Sequence, residues 1–350
     1  MPVSRTFLWC LAAAVVVCGC SGAPAPTPAP AADAVSPVPV VVPPDRPPVP
    51  DRPAAGPVVV ARPLPGLVPA SATAGCAPPV VHAYETTDDL GGLSGIARGD
   101  GPGEFVVISD AGGVFSLTFD DSGARLVPRG LLAGLETATN ADRDAEALVR
   151  LPDGRWIVSF ERTHRLAVFP SGLGGLVGGP ASVVGVPADW RALPANQGVE
   201  SLALGGDGRL VAIAEGSPLQ VGDRPVWWFS PPDGPQIQAL AATYRTGFGV
   251  TPGDAAGGPD GQVYVLERQL GTGGLTARIV RVVAAGDGRL GPQATLDLSG
   301  MVPAANYEGM TIDPAAADGL RFILVSDGDG AAPSVIVDLA VRSCAFRTAD

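Results

Sequence analysis

Lysine is absent from all 350 residues, so every basic side chain is an arginine or one of two histidines, His82 and His164. Two histidines so far apart make a histidine zinc centre improbable. The formal charge of −12 argues against a polyanionic partner such as nucleic acid, and it is compatible with cation binding. No phosphate-cradling loop and no dinucleotide-binding glycine fingerprint occurs. Methionine is scarce and glycine abundant, a balance that fits short strands joined by tight turns. Long apolar runs are also missing beyond the first twenty residues.

The N-terminus is the exception. Arg5 precedes an apolar run, Phe7 to Val17, too short to span a bilayer but matched to a signal-peptide core. It ends in Val17-Cys18-Gly19-Cys20, a lipobox-like pattern. The expectation is a signal peptide over 1–19 and lipidation of Cys20, giving an exported bacterial membrane lipoprotein, periplasmic or cell-surface. Residues 20–75 are rich in Pro and Ala, favour extended polyproline and predict a disordered tether. The folded domain is expected over 76–350, large enough for one core. Within it only Cys76 and Cys344 remain, at the borders of the repetitive region. An exported location permits them to form a disulfide tying the first strand to the last, with two free thiols as the alternative.

The most informative feature is a repeat. Ala145-Glu146-Ala147-Leu148 recurs as Val199-Glu200-Ser201-Leu202 and as Tyr307-Glu308-Gly309-Met310, with Gly253-Asp254 at the halfway point and a period of 54 residues. Asp153-Gly154, Asp207-Gly208 and Asp260-Gly261 supply tight turns, each followed by an apolar run such as Trp156-Ile157-Val158. Units of this length built from short antiparallel strands predict an all-β β-propeller. Five blades are expected, beginning near Leu93, Glu146, Glu200, Asp254 and Glu308, with Val80–Tyr84 joining the last unit and closing the ring. Six blades require more than one strand from each terminus; a β-sandwich is the competing fold.

Second strands end in Asp110, Glu161, Glu215, Glu267 and Asp327, and first strands begin near Glu146, Glu200 and Glu308, with Asp254 one position out of phase. In a propeller both sets fall at one end of the axis. Crowded carboxylates need a positive partner, from Arg143, Arg162 and Arg268 or from a hard cation such as Ca²⁺. The competing interpretation is a duplicated structural device. Gly92-Leu93-Ser94-Gly95 lacks the second glycine of a nucleophile elbow, and Ser94 holds the repeat position filled elsewhere by Glu.

The phrases Gly92-Leu93-Ser94-Gly95-Ile96, Val107-Ile108-Ser109-Asp110, Asp144-Ala145-Glu146-Ala147-Leu148, Gly198-Val199-Glu200-Ser201-Leu202, Val265-Leu266-Glu267-Arg268 and Asn306-Tyr307-Glu308-Gly309-Met310 follow one another in order over about 80–346. Together they resemble the phytase-like family described as having esterase-like activity of phytase. The resemblance implies a propeller and a calcium-assisted ester or phosphoester hydrolase. By analogy Asp110, Glu146, Glu200, Glu308 and Asp327 would bind the cation, with Glu146, Glu200 and Glu308 central to catalysis. Arg143, Arg162 and Arg268 would face the substrate, a small-molecule ester or phosphoester taken by a monomeric protein. Two alternatives use the same acids: a propeller that binds a ligand or protein without turnover, and a lactonase-like propeller with one axial cation.

Overall fold

The computed structural model describes residues 59–64, 76–87, 90, 92–217, 219, 221–230, 238–271, 274–285, 289–314, 319–328 and 332–348. The expected signal peptide over 1–19, the lipidation site Cys20 and most of the expected tether lie outside the described residues. Part of that tether is instead a strand, β1 (Val59–Pro63). Here the run Val58-Val59-Val60-Ala61 interrupts the prolines, so consecutive N–H groups are available to a sheet. The compact unit therefore begins ahead of residue 76.

Strand β2 (Val80–Glu85) is followed by four-stranded antiparallel arrays. The first is β3 (Leu93–Arg98), β4 (Glu104–Ser109), β5 (Gly113–Asp120) and β6 (Gly123–Leu131). A short helix, α1 (Asn140–Arg143), leads into the second: β7 (Ala145–Arg150), β8 (Trp156–Phe160), β9 (Arg165–Phe169) and β10 (Ser182–Val184). Helix α2 (Leu173–Gly178) lies between β9 and β10, and α3 (Ala188–Arg191) follows β10. The third is β11 (Val199–Leu204), β12 (Leu210–Ala214), β13 (Gly222–Ser230) and β14 (Gln238–Thr246). The fourth is β15 (Val250–Gly257), β16 (Val263–Gly271), β17 (Gly274–Ala284) and β18 (Leu290–Asp297). The fifth is β19 (Asn306–Asp313), β20 (Leu320–Asp327) and β21 (Val335–Val341), completed by β2. A final strand, β22 (Arg347–Thr348), pairs with β18.

Why these sequences stack is visible in β8. Trp156, Val158 and Phe160 pack toward the first array with Val106 and Ile108, while Ile157 packs toward the third with Leu202, Leu210 and Trp227. Side chains alternate across a strand, so a strand buried on both faces reads as a continuous apolar run. The same division recurs around the molecule. Val211 and Ile213 meet Val265 and Val280; Tyr264 and Leu266 meet Met310 and Phe322; Ile323 and Val325 meet Phe105 and Val107. The core is thus a cycle of interfaces between neighbouring arrays, and the fold is a β-propeller.

Inner strands β3, β7, β11, β15 and β19 surround the axis in that order and return to β3. The ring is closed by β2 beside β21, and β1 links β2 to β6. Cys76 and Cys344 form a disulfide across the same junction. Glycines 154, 208 and 261 have φ of +87°, +78° and +76°, as the Asp-Gly turns require. Among the described residues no helix is long and apolar enough to cross a membrane.

Candidate functional site: a carboxylate mouth with a built-in guanidinium

Every inner strand carries a bulge near its start. The register slips between Leu93 and Ile96, Ala145 and Leu148, Val199 and Ser201, Pro252 and Asp254, and Tyr307 and Gly309. A bulge adds an unpaired residue and re-aims its side chain. Equivalent bulge positions are held by Ser94, Glu146, Glu200, Gly253 and Glu308. On each second strand, one residue beyond the partner of the residue that precedes the bulge, stand Asp110, Glu161, Glu215, Arg268 and Asp327.

Two expected ring members are therefore displaced by one residue. Asp254 sits after the bulge, fully buried, where its carboxylate accepts from the backbone N–H of Ala255 and of Met310, each at 2.7 Å. It ties β15 to β19 and is a structural acid. Burial pushes its pKa well up, against the pull of backbone hydrogen bonds from Met310, Ala255 and Leu202. Glu267 points the other way, between the third and fourth arrays. It accepts from the Tyr244 hydroxyl at 2.6 Å and pairs with Arg278.

The ring position that Glu267 was expected to fill belongs to Arg268. Opposite it Gly253 leaves room: a Cβ there would lie 3.1 Å from the Arg268 Nε. Arg268 is 6% exposed and spans the mouth. Its Nη2 donates to Glu200 Oε2 at 2.5 Å and Glu215 Oε1 at 2.8 Å; its Nη1 donates to Glu308 Oε1 at 2.7 Å and Asn306 Oδ1 at 3.0 Å. Burial alone would lower its pKa, but Glu200, Glu215, Glu308 and Glu146 outweigh that and hold it above the ordinary arginine value. Arg268 is thus an internal counterion, with its terminal donors engaged by Glu200, Glu215, Glu308 and Asn306.

The other half of the mouth is less neutralised. Asp144, Glu146 and Glu161 each offer one oxygen within 4.8 Å of the others, and Glu161, Glu200 and Glu215 form a second such set. Burial, then the charges of Glu161, Glu200, Asp144 and Glu308, push Glu146 well above the carboxylate range. Burial and Glu200 raise Glu161 to about 8, although it accepts from the Gly198 N–H at 2.8 Å and lies near Arg162. Glu215 is raised by burial and Glu200, with Arg268 opposing. Arg162, the one non-glycine residue at positive φ among the described residues (+48°), pairs with Asp144 at 2.7 Å and keeps part of its side chain exposed.

The remaining expected residues are less central. Asp327 accepts from the Gly92 N–H at 3.0 Å, and a Cβ on Gly92 would collide with the Asp110 carboxylate, so these two acids flank one glycine. Neither belongs to the two close carboxylate sets. Arg143 donates to the carbonyls of Leu135 and Glu136, both at 3.1 Å. Ser94 is fully buried and its hydroxyl donates to the Ala145 carbonyl at 2.6 Å. Asp144, Glu161 and Glu215 were not expected as ligands. The constant spacing of 15 residues from Glu146 to Glu161, Glu200 to Glu215 and Gly253 to Arg268 marks Glu161 and Glu215.

An oxygen-only donor set of crowded, buried carboxylates suits a hard divalent cation. Asp144, Glu146 and Glu161 offer such a set, with Arg162 on Asp144 at its edge; Glu200 and Glu215 are bridged by Arg268.

The phytase-like family model, described as esterase-like activity of phytase, matches residues 88–330, and the chain belongs to that family. No curated protein matches. Among solved structures, a glucose dehydrogenase aligns at 12% identity and TM-score 0.45, over 71% of this chain and 96% of its own. Regucalcin from Agrobacterium tumefaciens strain C58, a calcium-binding protein, aligns at 10% identity and TM-score 0.42, over 72% and 95%. A luciferin-regenerating enzyme aligns at 11% identity and TM-score 0.42, over 77% and 97%.

Proposed function

We propose that this phytase-like propeller is a Ca²⁺-assisted hydrolase of a small ester or phosphoester, with its centre at Asp144, Glu146 and Glu161. The observation that carries the reading is the close approach of these three buried oxygens beside a mouth in which Arg268 bridges Glu200, Glu215 and Glu308. A bound cation would offset substrate charge and lower the pKa of a coordinated water. Arg162, partly exposed and anchored on Asp144, is placed at the rim to meet an anionic oxygen. Glu200 and Glu308 hold Arg268 and so shape the site indirectly. One cation, in preference to several, follows from the share of acids that Arg268 engages.

The test is turnover of a nitrophenyl phosphate and a nitrophenyl carboxyl ester with and without Ca²⁺. Glu146→Gln and Glu161→Gln are each expected to lower kcat/KM by at least about a hundredfold while leaving folding intact. Ca²⁺ binding at one site without turnover on either substrate would support instead a ligand-binding propeller. The sequence supports export and attachment through a lipid on Cys20. Metabolic labelling with a fatty acid, abolished by Cys20→Ser, tests the attachment.

A further inference from the structure

Strand lengths around the carboxylate mouth are unequal. In the first, second and fifth arrays the chain turns back near the level of the ring acids. In the third array Ile213 pairs with Val226, yet β13 starts at Gly222, still paired with Thr246. In the fourth, Pro252 pairs with Glu267, yet β16 continues to Gly271, paired with Gly274. Three or four further residues raise a wall about 10–13 Å above the ring on one side. Arg224 braces it: Nε donates to Thr246 Oγ1 at 2.9 Å, and Nη2 to the Ser217 and Val250 carbonyls at 2.8 and 3.3 Å.

The wall's tips are apolar. Leu219 is 75% exposed, Val221 61%, Phe248 66% and Leu270 55%. Val221, Phe248 and Leu270 are neighbours by register: Val221 precedes Gly222, opposite Thr246, and the Leu270 N–H bonds the Gly249 carbonyl at 2.8 Å beside Phe248. The opposite end of the propeller differs. Its hairpin turns carry exposed ion pairs, Asp153 with Arg155 and Asp207 with Arg209, and its exposed apolar side chains, Val80 and Val283, stand on separate arrays. Strand β1 adds a direction. Val59 pairs with Leu126 and Ala61 with Ala124, and β6 runs from Gly123 toward Leu131 at the acid end. Strand β1 therefore begins, at Val59, on the side of the carboxylate mouth.

We propose that this wall is a membrane-contacting edge: Leu219, Val221, Phe248 and Leu270 enter the headgroup–acyl boundary of a lipid bilayer, turning the carboxylate mouth toward the membrane. Apolar tips on a braced wall suit shallow insertion, and one weak attachment gains most from a second. The orientation draws on the membrane attachment proposed above, and is independent of hydrolysis.

The experiment places a tryptophan at Phe248 or at Val80 in the full chain, reconstituted in phosphatidylcholine vesicles with or without brominated acyl chains. Emission is read as variant minus parent. Phe248→Trp is expected to shift to the blue and to be quenched by brominated lipid at least about twofold more than Val80→Trp, as shallow burial requires. Val221→Trp reports on the same wall should the first variant misfold. Failure of the parent chain to float with vesicles overturns attachment and orientation together. Flotation with equal quenching at the two ends overturns the orientation alone. A blue shift at Phe248→Trp without quenching means that the wall meets protein, and also overturns it.

Discussion

A single exchange within the repeat decides the chemistry of the mouth. In the fourth unit glycine stands where three others carry Glu, and Arg268 stands where the rest carry an acid. The two changes depend on each other, because the guanidinium occupies space that a side chain at 253 would take. Removing the cation leaves Glu200, Glu215 and Glu308 facing one another in a buried site. Breaking a buried pair in this way costs about 3–5 kcal/mol, since uncompensated charge remains. Arg268→Met is therefore expected to lower the melting temperature sharply at neutral pH, and to recover at pH 5, where carboxylates take up protons. Gly253→Ala should also weaken the protein, because its Cβ would meet the Tyr307 carbonyl oxygen at 2.7 Å as well as Arg268 Nε at 3.1 Å. Thermal melts at the two pH values check both; an Arg268→Met protein as stable as the parent at pH 7 would remove Arg268 from the role of counterion.

At the scale of elements, most strands were legible because burial on both faces writes a continuous apolar run, as in Leu210–Ile213 and Phe322–Val325. The period located the inner strands for the same reason. What periodicity does not carry is the bulge. One inserted residue separates Pro252 from Asp254, so alignment by acid type placed Asp254 and Glu267 in the rings, where pairing places Gly253 and Arg268. β1 was hidden differently, inside a proline-rich composition whose short valine run only a neighbouring sheet edge makes into a strand. The bulges also bring inner strands into backbone contact. A Cβ on Gly309 would strike the Ser94 carbonyl oxygen of the adjoining β3 and Val325 Cγ2. Gly309→Ala is expected to cost about 1–3 kcal/mol by overpacking, because a closed ring offers β3 nowhere to move. Gly174 in α2 has open space around its Cβ position, so Gly174→Ala there should instead gain about 0.5–1 kcal/mol. Chemical denaturation of the two variants separates the effects; equal midpoints would deny that inner-strand contact is tight.

For the whole molecule, closing a ring around an acidic axis sets stability against charge. The disulfide joining residues 268 apart offsets part of that strain through chain entropy, by about 5 kcal/mol at most. The carboxylates determine how stability varies with pH. Glu161 rises from an ordinary value of 4.5 to about 8 on folding, and Glu146, Glu215 and Asp254 move the same way. Between those values the folded state holds protons that the unfolded chain has released, so stability falls as pH rises through the window. The contribution is complete below about pH 4.5 and lost by about pH 8. The exposed Asp120, Asp153 and Asp207 are lowered instead and titrate below that window, so they do not reverse the sign. A cation at Asp144, Glu146 and Glu161 would replace those protons, and its stabilisation must then grow with pH. Calorimetry of chelator-treated protein should show a higher melting temperature at pH 5.5 than at pH 8, with added Ca²⁺ raising the second far more than the first. A chelated protein more stable at pH 8 would mean that these acids are neutralised within the fold, and that no cation is needed to hold the mouth together.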